Sequence, residues 1–149
     1  MNKHQSVTII MIEDDEGHAR LIEKNIRRAG VHNEIRHFTD GTSALEFMFN
    51  GAAGPALNGP GLVLLDLNLP DMSGTDILVR MKADASPLKR TPVVVLTTTD
   101  DKVEIQRCYD LGANVYITKP VNYESFAQAI RQLGLFISVI QLPETDTDD

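Results

Sequence analysis

An acidic, hydroxyl or lysine side chain follows directly after each of four apolar segments of this 149-residue sequence. The run LVLL leads into Asp66, and the run TIIMI leads into Glu13 and Asp14. The run VVVL leads into Thr97, and the segment VYIT leads into Lys119. An ionised side chain at the end of a buried segment is energetically costly unless another group pairs with its charge. These side chains are therefore predicted to act on one another or on a shared ligand.

This set of side chains favours phosphoryl transfer assisted by a divalent cation. Carboxylates that lie close together repel one another, and they must take up protons or be neutralised by a cation. Mg²⁺ prefers oxygen ligands, and it binds through one or two carboxylates while leaving positions for water and phosphate oxygens. A lysine and a threonine hydroxyl suit two further phosphoryl oxygens. A carboxylate held there can attack phosphorus and form an acyl phosphate, so Asp66 is predicted to be the phosphoryl acceptor and Mg²⁺ the cofactor.

Five mainly apolar segments alternate with five amphipathic ones along the chain. The predicted strands cover residues 6–12, 33–38, 62–66, 91–97 and 114–118. The predicted helices cover residues 16–30, 40–51, 73–84, 100–113 and 122–133. Most of the strands are apolar throughout, which is typical of parallel strands with helices on both faces, so the predicted fold class is α/β with a doubly wound five-stranded parallel sheet. Ligands of such sheets bind at the carboxyl ends of the strands, where the polar residues should converge.

Length, charge and composition restrict the class of protein. A chain of this length forms one compact domain, predicted to span residues 1–142 with a C-terminal extension from about residue 134, and the acidic residues 143–149 are predicted to be disordered. The net charge of −7 argues against nucleic-acid binding, which needs a basic surface. The sequence has no apolar run of membrane-spanning length, no signal-peptide pattern and a single cysteine, so we expect a cytoplasmic protein that does not bind membranes.

The motifs IEDD, LLDLNLPDMSG, VLTTTD and VYITKP occur in this order at the ends of four predicted strands. Together they resemble the motifs of response-regulator receiver domains, the phosphoacceptor domains of two-component signalling, over about residues 7–133. The resemblance implies a flavodoxin-like (βα)₅ three-layer sandwich. It also implies that the protein is not an enzyme acting on separate substrates. Instead, it accepts a phosphoryl group from a sensor histidine kinase on Asp66 and assists only its own phosphotransfer and dephosphorylation.

The resemblance also implies a metal site. Asp66 resembles the phosphoacceptor of these domains, Asp14 the acid that binds Mg²⁺ directly, and Glu13 its partner that acts mostly through a water molecule. Asn68 matches the position whose backbone carbonyl completes the metal site. Glu13 departs from the more common Asp-Asp pair but keeps the negative charge, so metal binding is expected to survive.

A second group of residues resembles the switch of the family. Thr97 matches the switch hydroxyl, Lys119 the lysine that contacts the phosphoryl group, and Tyr116 the aromatic residue that turns inward on activation. Pro120 matches the position of a habitual cis-proline. The four histidines show no ligand spacing, and they are predicted to face solvent or to cap helices.

A narrower resemblance, to small stand-alone regulators paired with phytochrome histidine kinases, rests on three features. These are the motif IED near the N-terminus, the motifs DLNLP and VVVLTT, and a C-terminal extension ending in LP. The resemblance implies a bacteriophytochrome as the kinase partner. Few residues follow Leu133, so the signal is expected to leave by protein–protein contact rather than through an output module.

A symmetric homodimer is predicted on the face made by the fourth helix, the fifth strand and the fifth helix, with help from the C-terminal extension. The helical stripe that can continue the core contact of the fifth helix consists of Leu133, Ile137 and Ile140. The apolar side chains left pointing elsewhere are Leu135, Phe136 and Val139. An exposed patch of this kind usually marks an interface. The alternative is that the segment folds back and covers its own domain.

Other functions remain compatible with the same fold. A phosphate shuttle or sink in a phosphorelay would use the same residues. A Mg²⁺-dependent phosphatase that forms an aspartyl phosphate would need a second acid two residues after the nucleophile, where this chain has Asn68. A receiver that binds partners without being phosphorylated would usually have lost the acceptor, the lysine or the acid pair. A flavodoxin-like cofactor binder would need a Ser/Thr/Gly-rich loop in place of the acidic segment EDDEGH.

Overall fold

Strands and helices alternate along the chain, as predicted. The computed structural model describes residues 7–49 and 61–139, with only the backbone of residues 138 and 139. The strands are β1 (Thr8–Ile12), β2 (Ile35–Phe38), β3 (Gly61–Leu65), β4 (Val93–Thr97) and β5 (Val115–Thr118). The helices are α1 (Glu16–Arg28), α2 (Gly41–Phe49), α3 (Gly74–Met81), α4 (Lys102–Asp110) and α5 (Tyr123–Val139). Within the described ranges, no helix has the length and apolar character needed to cross a membrane.

The five strands form one parallel sheet in the order β2-β1-β3-β4-β5, which confirms the predicted doubly wound α/β fold of flavodoxin-like topology. The strand order changes direction between β1 and β3, and ligands of open α/β sheets bind in the crevice at such a switch point. Ile12 pairs with Leu65, and Thr97 pairs with Thr118. The residues that follow these strands therefore leave the sheet at one edge.

Two apolar layers cover the faces of the sheet. Ile10 and Ile12 of β1 point into the layer that contains α2, α3 and α4, whereas Ile9 and Met11 point into the layer that contains α1 and α5. Successive side chains of a strand point to opposite faces, so a strand covered on both faces must be apolar at every position. This explains the uninterrupted apolar run of β3, and it restricts polar chemistry to the residues just beyond the strand ends.

Helix α5 continues well past its predicted end at residue 133. Gly134 lies inside this helix and is buried against α1, where a Cβ atom would lie 2.7 Å from the Cβ atom of Ala29. The absent side chain allows the two helices to approach closely, and this packing outweighs the weak helix propensity of glycine. Ile137 packs against the core, as predicted for the inner stripe, whereas Leu135 and Phe136 are 53% and 45% exposed.

Some sequence-based predictions fall outside the described residues. These are the positions of His4 and Ile140, the side chain of Val139 and the acidic segment 143–149. No cis peptide bond occurs among the residues that the structure describes, so the expectation of a cis-proline at Pro120 is wrong. The bond before this proline has the trans form, which is the lower-energy isomer before proline.

The loop between β3 and α3 reaches across to the start of α2. The carboxylate of Asp71 accepts hydrogen bonds from the backbone N–H groups of Gly41 and Thr42, at 2.9 and 2.8 Å, and from the Thr42 hydroxyl. The first N–H groups of a helix have no partner within the helix. The hydrogen bonds that Asp71 accepts lower the pKa of its carboxyl to about 2. The bond from the Thr42 hydroxyl contributes most, and the bond from the Gly41 N–H contributes next. Asp71 thus fastens α2 to the loop that follows Asp66.

Asp71→Asn should reduce stability in a pH-dependent way. Because the pKa of Asp71 is lowered in the folded state, its carboxylate contributes stability that is fully present above the ordinary pKa of 3.8 and is lost as pH falls toward about 2. The difference in free energy of unfolding between the wild type and Asp71→Asn should therefore be constant from about pH 7 to about pH 5 and shrink below about pH 4. Urea unfolding measures this difference, with Glu46→Gln at an exposed position of α2 as the control. A difference that stays constant down to about pH 3 would contradict the role of this carboxylate.

Candidate functional site

The carboxyl ends of β1, β3, β4 and β5 meet at one edge of the sheet and bring the predicted site residues together. The backbone N–H of Asp66 donates to the carbonyl of Ile12 at 3.0 Å. The backbone N–H of Lys119 donates to the carbonyl of Thr97 at 2.7 Å. The hydrogen bonds of the sheet therefore continue beyond the ends of β3 and β5. Side chains placed on such rigid elements are held more closely than side chains on loops.

Three carboxylates form a cluster at this edge. One oxygen atom from each of Glu13, Asp14 and Asp66 lies within 4.8 Å of the other two. Glu13 and Asp66 are buried, with 2% and 5% of their surface exposed, whereas Asp14 is exposed and opens the cluster to solvent. All the donor atoms are carboxylate oxygens, which suit a hard divalent cation such as Mg²⁺ or Mn²⁺. The structure therefore brings the predicted acidic ligands together, and they fit a divalent metal.

The ammonium group of Lys119 lies between the two buried acids. Its Nζ atom is 2.6 Å from Oε1 of Glu13 and 3.2 Å from Oδ2 of Asp66, and only 2% of the lysine side chain is exposed. Burial raises the pKa of Glu13 to about 7, and the hydrogen bond from Lys119 opposes that rise. The lysine thus supplies the positive charge that makes the burial of these carboxylates tolerable.

The loop from Asp66 to α3 folds back over the end of β3. Asn68 and Ser73 form an isolated antiparallel bridge. The backbone N–H of Gly74 donates to the carbonyl of Leu67 at 2.9 Å. A Cβ atom on Gly74 would overlap the carbonyl oxygen of Asp66 and would lie 2.8 Å from the Cα atom of Leu67. This close approach of two backbone segments requires glycine, which explains the residue that ends the motif LLDLNLPDMSG.

A chain of hydrogen bonds leads from Asp66 toward β5. The backbone N–H of Asn68 donates to Oδ1 of Asp66 at 3.1 Å. The side-chain amide of Asn68 donates to the hydroxyls of Thr97 and Thr99, at 3.3 and 3.4 Å. The hydroxyl of Tyr116 donates to the carbonyl of Thr99 at 2.6 Å, and burial raises the pKa of this phenol to about 12, so it stays a neutral donor. Two of the three predicted switch residues, Thr97 and Tyr116, are therefore connected to Asp66 through Asn68 and Thr99.

Two histidines lie at the site, and the sequence pattern did not predict this. Nδ1 of His18 is 3.1 Å from Nζ of Lys119, and Nε2 of His37 is 2.7 Å from the carbonyl oxygen of Glu13. The prediction that the histidines face solvent or cap helices is wrong for the half-buried His18 and incomplete for His37, whose exposed side chain contacts the backbone of the site. The signal that could have identified His18 is its position in the first turn of α1, because that helix begins beside the acid pair.

The family model of the response regulator receiver domain matches residues 9–131. The chain belongs to the response regulator receiver family. This match confirms the resemblance that the four motifs carry, and with it the function of a response-regulator receiver.

Known receivers are similar to this chain over nearly its whole length. The crystal structure of a response regulator receiver domain from Rhodospirillum rubrum is 70% identical, with 95% of this chain and 100% of that chain covered and a TM-score of 0.87. Response regulator Rcp1 of Synechocystis sp. is 31% identical over 136 residues, which are 91% of this chain and 92% of Rcp1. The Mn²⁺-bound form of Rcp1 gives a TM-score of 0.84, with 92% of this chain and 99% of that chain covered. The phosphorylated cyanobacterial phytochrome response regulator RcpA is 34% identical, with 93% of this chain and 99% of that chain covered and a TM-score of 0.79.

Membership of the receiver family defines the general partners of the site. Receiver domains act in two-component signalling with histidine kinases, and they bind Mg²⁺ or Mn²⁺ at an acidic pocket. This receiver has a cluster of three carboxylates, Glu13, Asp14 and Asp66, that could hold such an ion. The buried lysine beside the cluster distinguishes it from an ordinary group of surface acids.

Proposed function

We propose that this receiver takes a phosphoryl group from a sensor histidine kinase onto Asp66 in a Mg²⁺-dependent reaction. We also propose that it then signals through a conformational change and protein–protein contact. The observation that carries the proposal is the contact of 3.2 Å between Oδ2 of Asp66 and Nζ of Lys119, beside the carboxylates of Glu13 and Asp14. This arrangement presents one carboxylate as a nucleophile, beside a lysine that can neutralise an incoming phosphoryl group and two acids that can hold a divalent cation.

Each neighbour of Asp66 has a task in the proposed transfer. The Asp66 carboxylate forms the new P–O bond, while the bond between phosphorus and the donor breaks and its electron pair leaves with the donor. The proposed metal ligands are Asp14, Asp66 and the backbone carbonyl of Asn68, with Glu13 acting through water. Bound there, Mg²⁺ supplies charge that offsets the repulsion between the carboxylate and the phosphoryl oxygens. The Lys119 ammonium group neutralises a further phosphoryl oxygen.

Phosphorylation is proposed to change the contacts of three residues beside the acceptor. Lys119 exchanges its contact with the carboxylate for one with a phosphoryl oxygen. The hydroxyl of Thr97 approaches another phosphoryl oxygen and gives up the hydrogen bond from Asn68. Tyr116 then turns into the space that the threonine leaves. These residues form a two-state element that a local change of charge can bias.

The alternative of a Mg²⁺-dependent aspartyl-phosphate phosphatase is not favoured. Such an enzyme needs an acid two residues after its nucleophile to protonate the leaving group. Asn68 stands at that position, and its amide is engaged with the hydroxyls of Thr97 and Thr99. A shuttle or sink in a phosphorelay would use the same acceptor, and return of the phosphoryl group to a kinase would distinguish a shuttle from a signalling receiver.

The proposed kinase partner is a bacteriophytochrome. The support is the 34% identity with the phytochrome response regulator RcpA over 93% of this chain. Of the motifs that carry the narrower resemblance, DLNLP begins at the proposed acceptor Asp66 and VVVLTT contains Thr97. A phytochrome kinase is therefore the first phosphodonor to use with this receiver.

Phosphorylation should require both Asp66 and Mg²⁺. Labelled acetyl phosphate, or a phytochrome kinase carrying labelled phosphate, should label the wild type. The label should be lost in Asp66→Asn and in the presence of a chelator, because either the nucleophile or the neutralising charge is removed. Asp76→Asn, at an exposed carboxylate of α3, is the matched control and should be labelled at the wild-type rate. Labelling of Asp66→Asn at the wild-type rate would refute the assignment of the acceptor.

We further propose that the face of α4, β5 and α5 forms a symmetric homodimer, continued by the C-terminal extension. Val103 and Tyr109 on α4 are 75% and 43% exposed, and Phe136 on α5 is 45% exposed. A twofold contact would bury such side chains in a self-complementary patch. Burial of three large apolar side chains contributes roughly 5–8 kcal/mol before the costs of association.

Sedimentation equilibrium tests the dimer. The wild type should sediment as a dimer at tens of micromolar, and Phe136→Asp should shift it toward the monomer because an unpaired carboxylate is costly to bury. Val79→Asp is the matched control, because Val79 is 47% exposed but lies on α3, across the sheet from α5. A wild type that stays monomeric, with and without a phosphoryl mimic, would rule out the dimer.

A further inference from the structure

The ammonium group of Lys119 has three N–H donors, and three acceptors surround it. Two acceptors are the carboxylates of Glu13 and Asp66, at 2.6 and 3.2 Å. The third is Nδ1 of His18, at 3.1 Å. Only 2% of the lysine side chain is exposed, so water has little access to replace a lost acceptor. The imidazole therefore completes the hydrogen bonding of the group on which the proposed phosphotransfer depends.

One neighbour holds the backbone of His18 and another packs against its ring. The backbone N–H of His18 donates to Oδ1 of Asp15, the N-terminal cap of α1, at 2.9 Å. The ring meets the buried ring of Phe126 from α5 edge to face, with centroids 5.3 Å apart and planes at 82°. Packing that already orders the side chain lowers the entropy cost of holding one ring nitrogen against the lysine.

The chemistry of the contact defines the tautomer of the ring. An ammonium group can only donate hydrogen bonds, so Nδ1 of His18 must accept, and the proton of the neutral ring lies on Nε2. The carboxylate oxygens of Asp15 and Glu13 lie 3.8 and 3.9 Å from Nδ1, beyond hydrogen-bonding distance. The hydrogen bond from Lys119 is therefore the contact that determines which ring nitrogen of His18 carries the proton.

We propose that His18 is a positioning residue for Lys119, and that its Nδ1 keeps the ammonium group between Glu13 and Asp66. The inference rests on the proposed function, because the position of the ammonium group matters when a phosphoryl group is transferred to Asp66. Without the acceptor, one N–H of the lysine would be buried without a partner. The shorter contact with Glu13 would then draw the ammonium group away from Asp66. Loss of the acceptor should therefore slow phosphorylation.

Two variants of His18 separate the effect of its hydrogen-bond acceptor from the effect of its aromatic ring. His18→Phe keeps an aromatic contact with Phe126 but has no acceptor, and its rate of phosphorylation by labelled acetyl phosphate at saturating Mg²⁺ should fall about fivefold to tenfold. His18→Asn loses the ring but places an amide oxygen near the position of Nδ1, and it should retain most of the rate. His32→Asn, at an exposed histidine in the loop after α1, is the control. A wild-type rate in His18→Phe, or equal losses in both His18 variants, would overturn the proposal.

Nitrogen NMR of the wild-type ring tests the same contact without phosphorylation. At about pH 8.5, where a free imidazole is neutral, the His18 signals should be those of the Nε2–H tautomer. Lys119→Met should shift the Nδ1 resonance, because the donor of the hydrogen bond is removed. An Nδ1–H tautomer, or an unchanged resonance in Lys119→Met, would overturn the proposal. A wild type that shows the expected tautomer but is never phosphorylated would instead contradict the proposed function.

Discussion

The ammonium group of Lys119 allows two carboxylates to be buried side by side at the end of a parallel sheet. Glu13 follows β1 and Asp66 follows β3, and these strands are neighbours, so the fold itself forces the two acids together. Burial of an ion without a partner costs several kcal/mol, and repulsion between two like charges adds to that cost. The lysine that offsets both terms is 106 residues away from Glu13 in sequence, and β5 brings it to the same edge. The site therefore depends on long-range topology rather than on one local motif.

The balance of charge between the acid cluster and Lys119 also suits the site to a divalent cation. Burial raises the pKa of Glu13 to about 7 even with Lys119 in contact, so a single lysine does not fully compensate the acid cluster. A divalent cation, which carboxylate oxygens suit, would complete the compensation. The loop closed by Gly74 and the amide groups of Asn68 then connect Asp66 to Thr97 at the end of β4 and to Thr99 just beyond it. A change of charge at the acceptor can in this way reach the surface made by α4 and β5.

Much of the fold and the site could be predicted because the relevant signals are local. Apolar runs that end in Asp66 or in Glu13 identify strands of a doubly covered parallel sheet, and such a sheet has one edge at which these ends meet. The contact of His18 with Lys119 was not predicted, because only the position of His18 in the first turn of α1 is local, whereas the lysine lies 101 residues later in the sequence. The predicted end of α5 at residue 133 was too early for a similar reason, since the low helix propensity of Gly134 is local whereas its close packing against α1 is tertiary.

A double-mutant cycle on Lys119 and Glu13 tests the central role of the buried ammonium group most directly. Urea unfolding above neutral pH would give the free energies of unfolding of the wild type, Glu13→Gln, Lys119→Met and the double variant. If the lysine makes the buried acids tolerable, Lys119→Met should cost about 3–5 kcal/mol in the wild type. In the Glu13→Gln background the cost should be smaller by at least about 1.5 kcal/mol. Equal costs in both backgrounds would contradict the account, because the lysine would then stabilise the fold independently of the acid that it contacts.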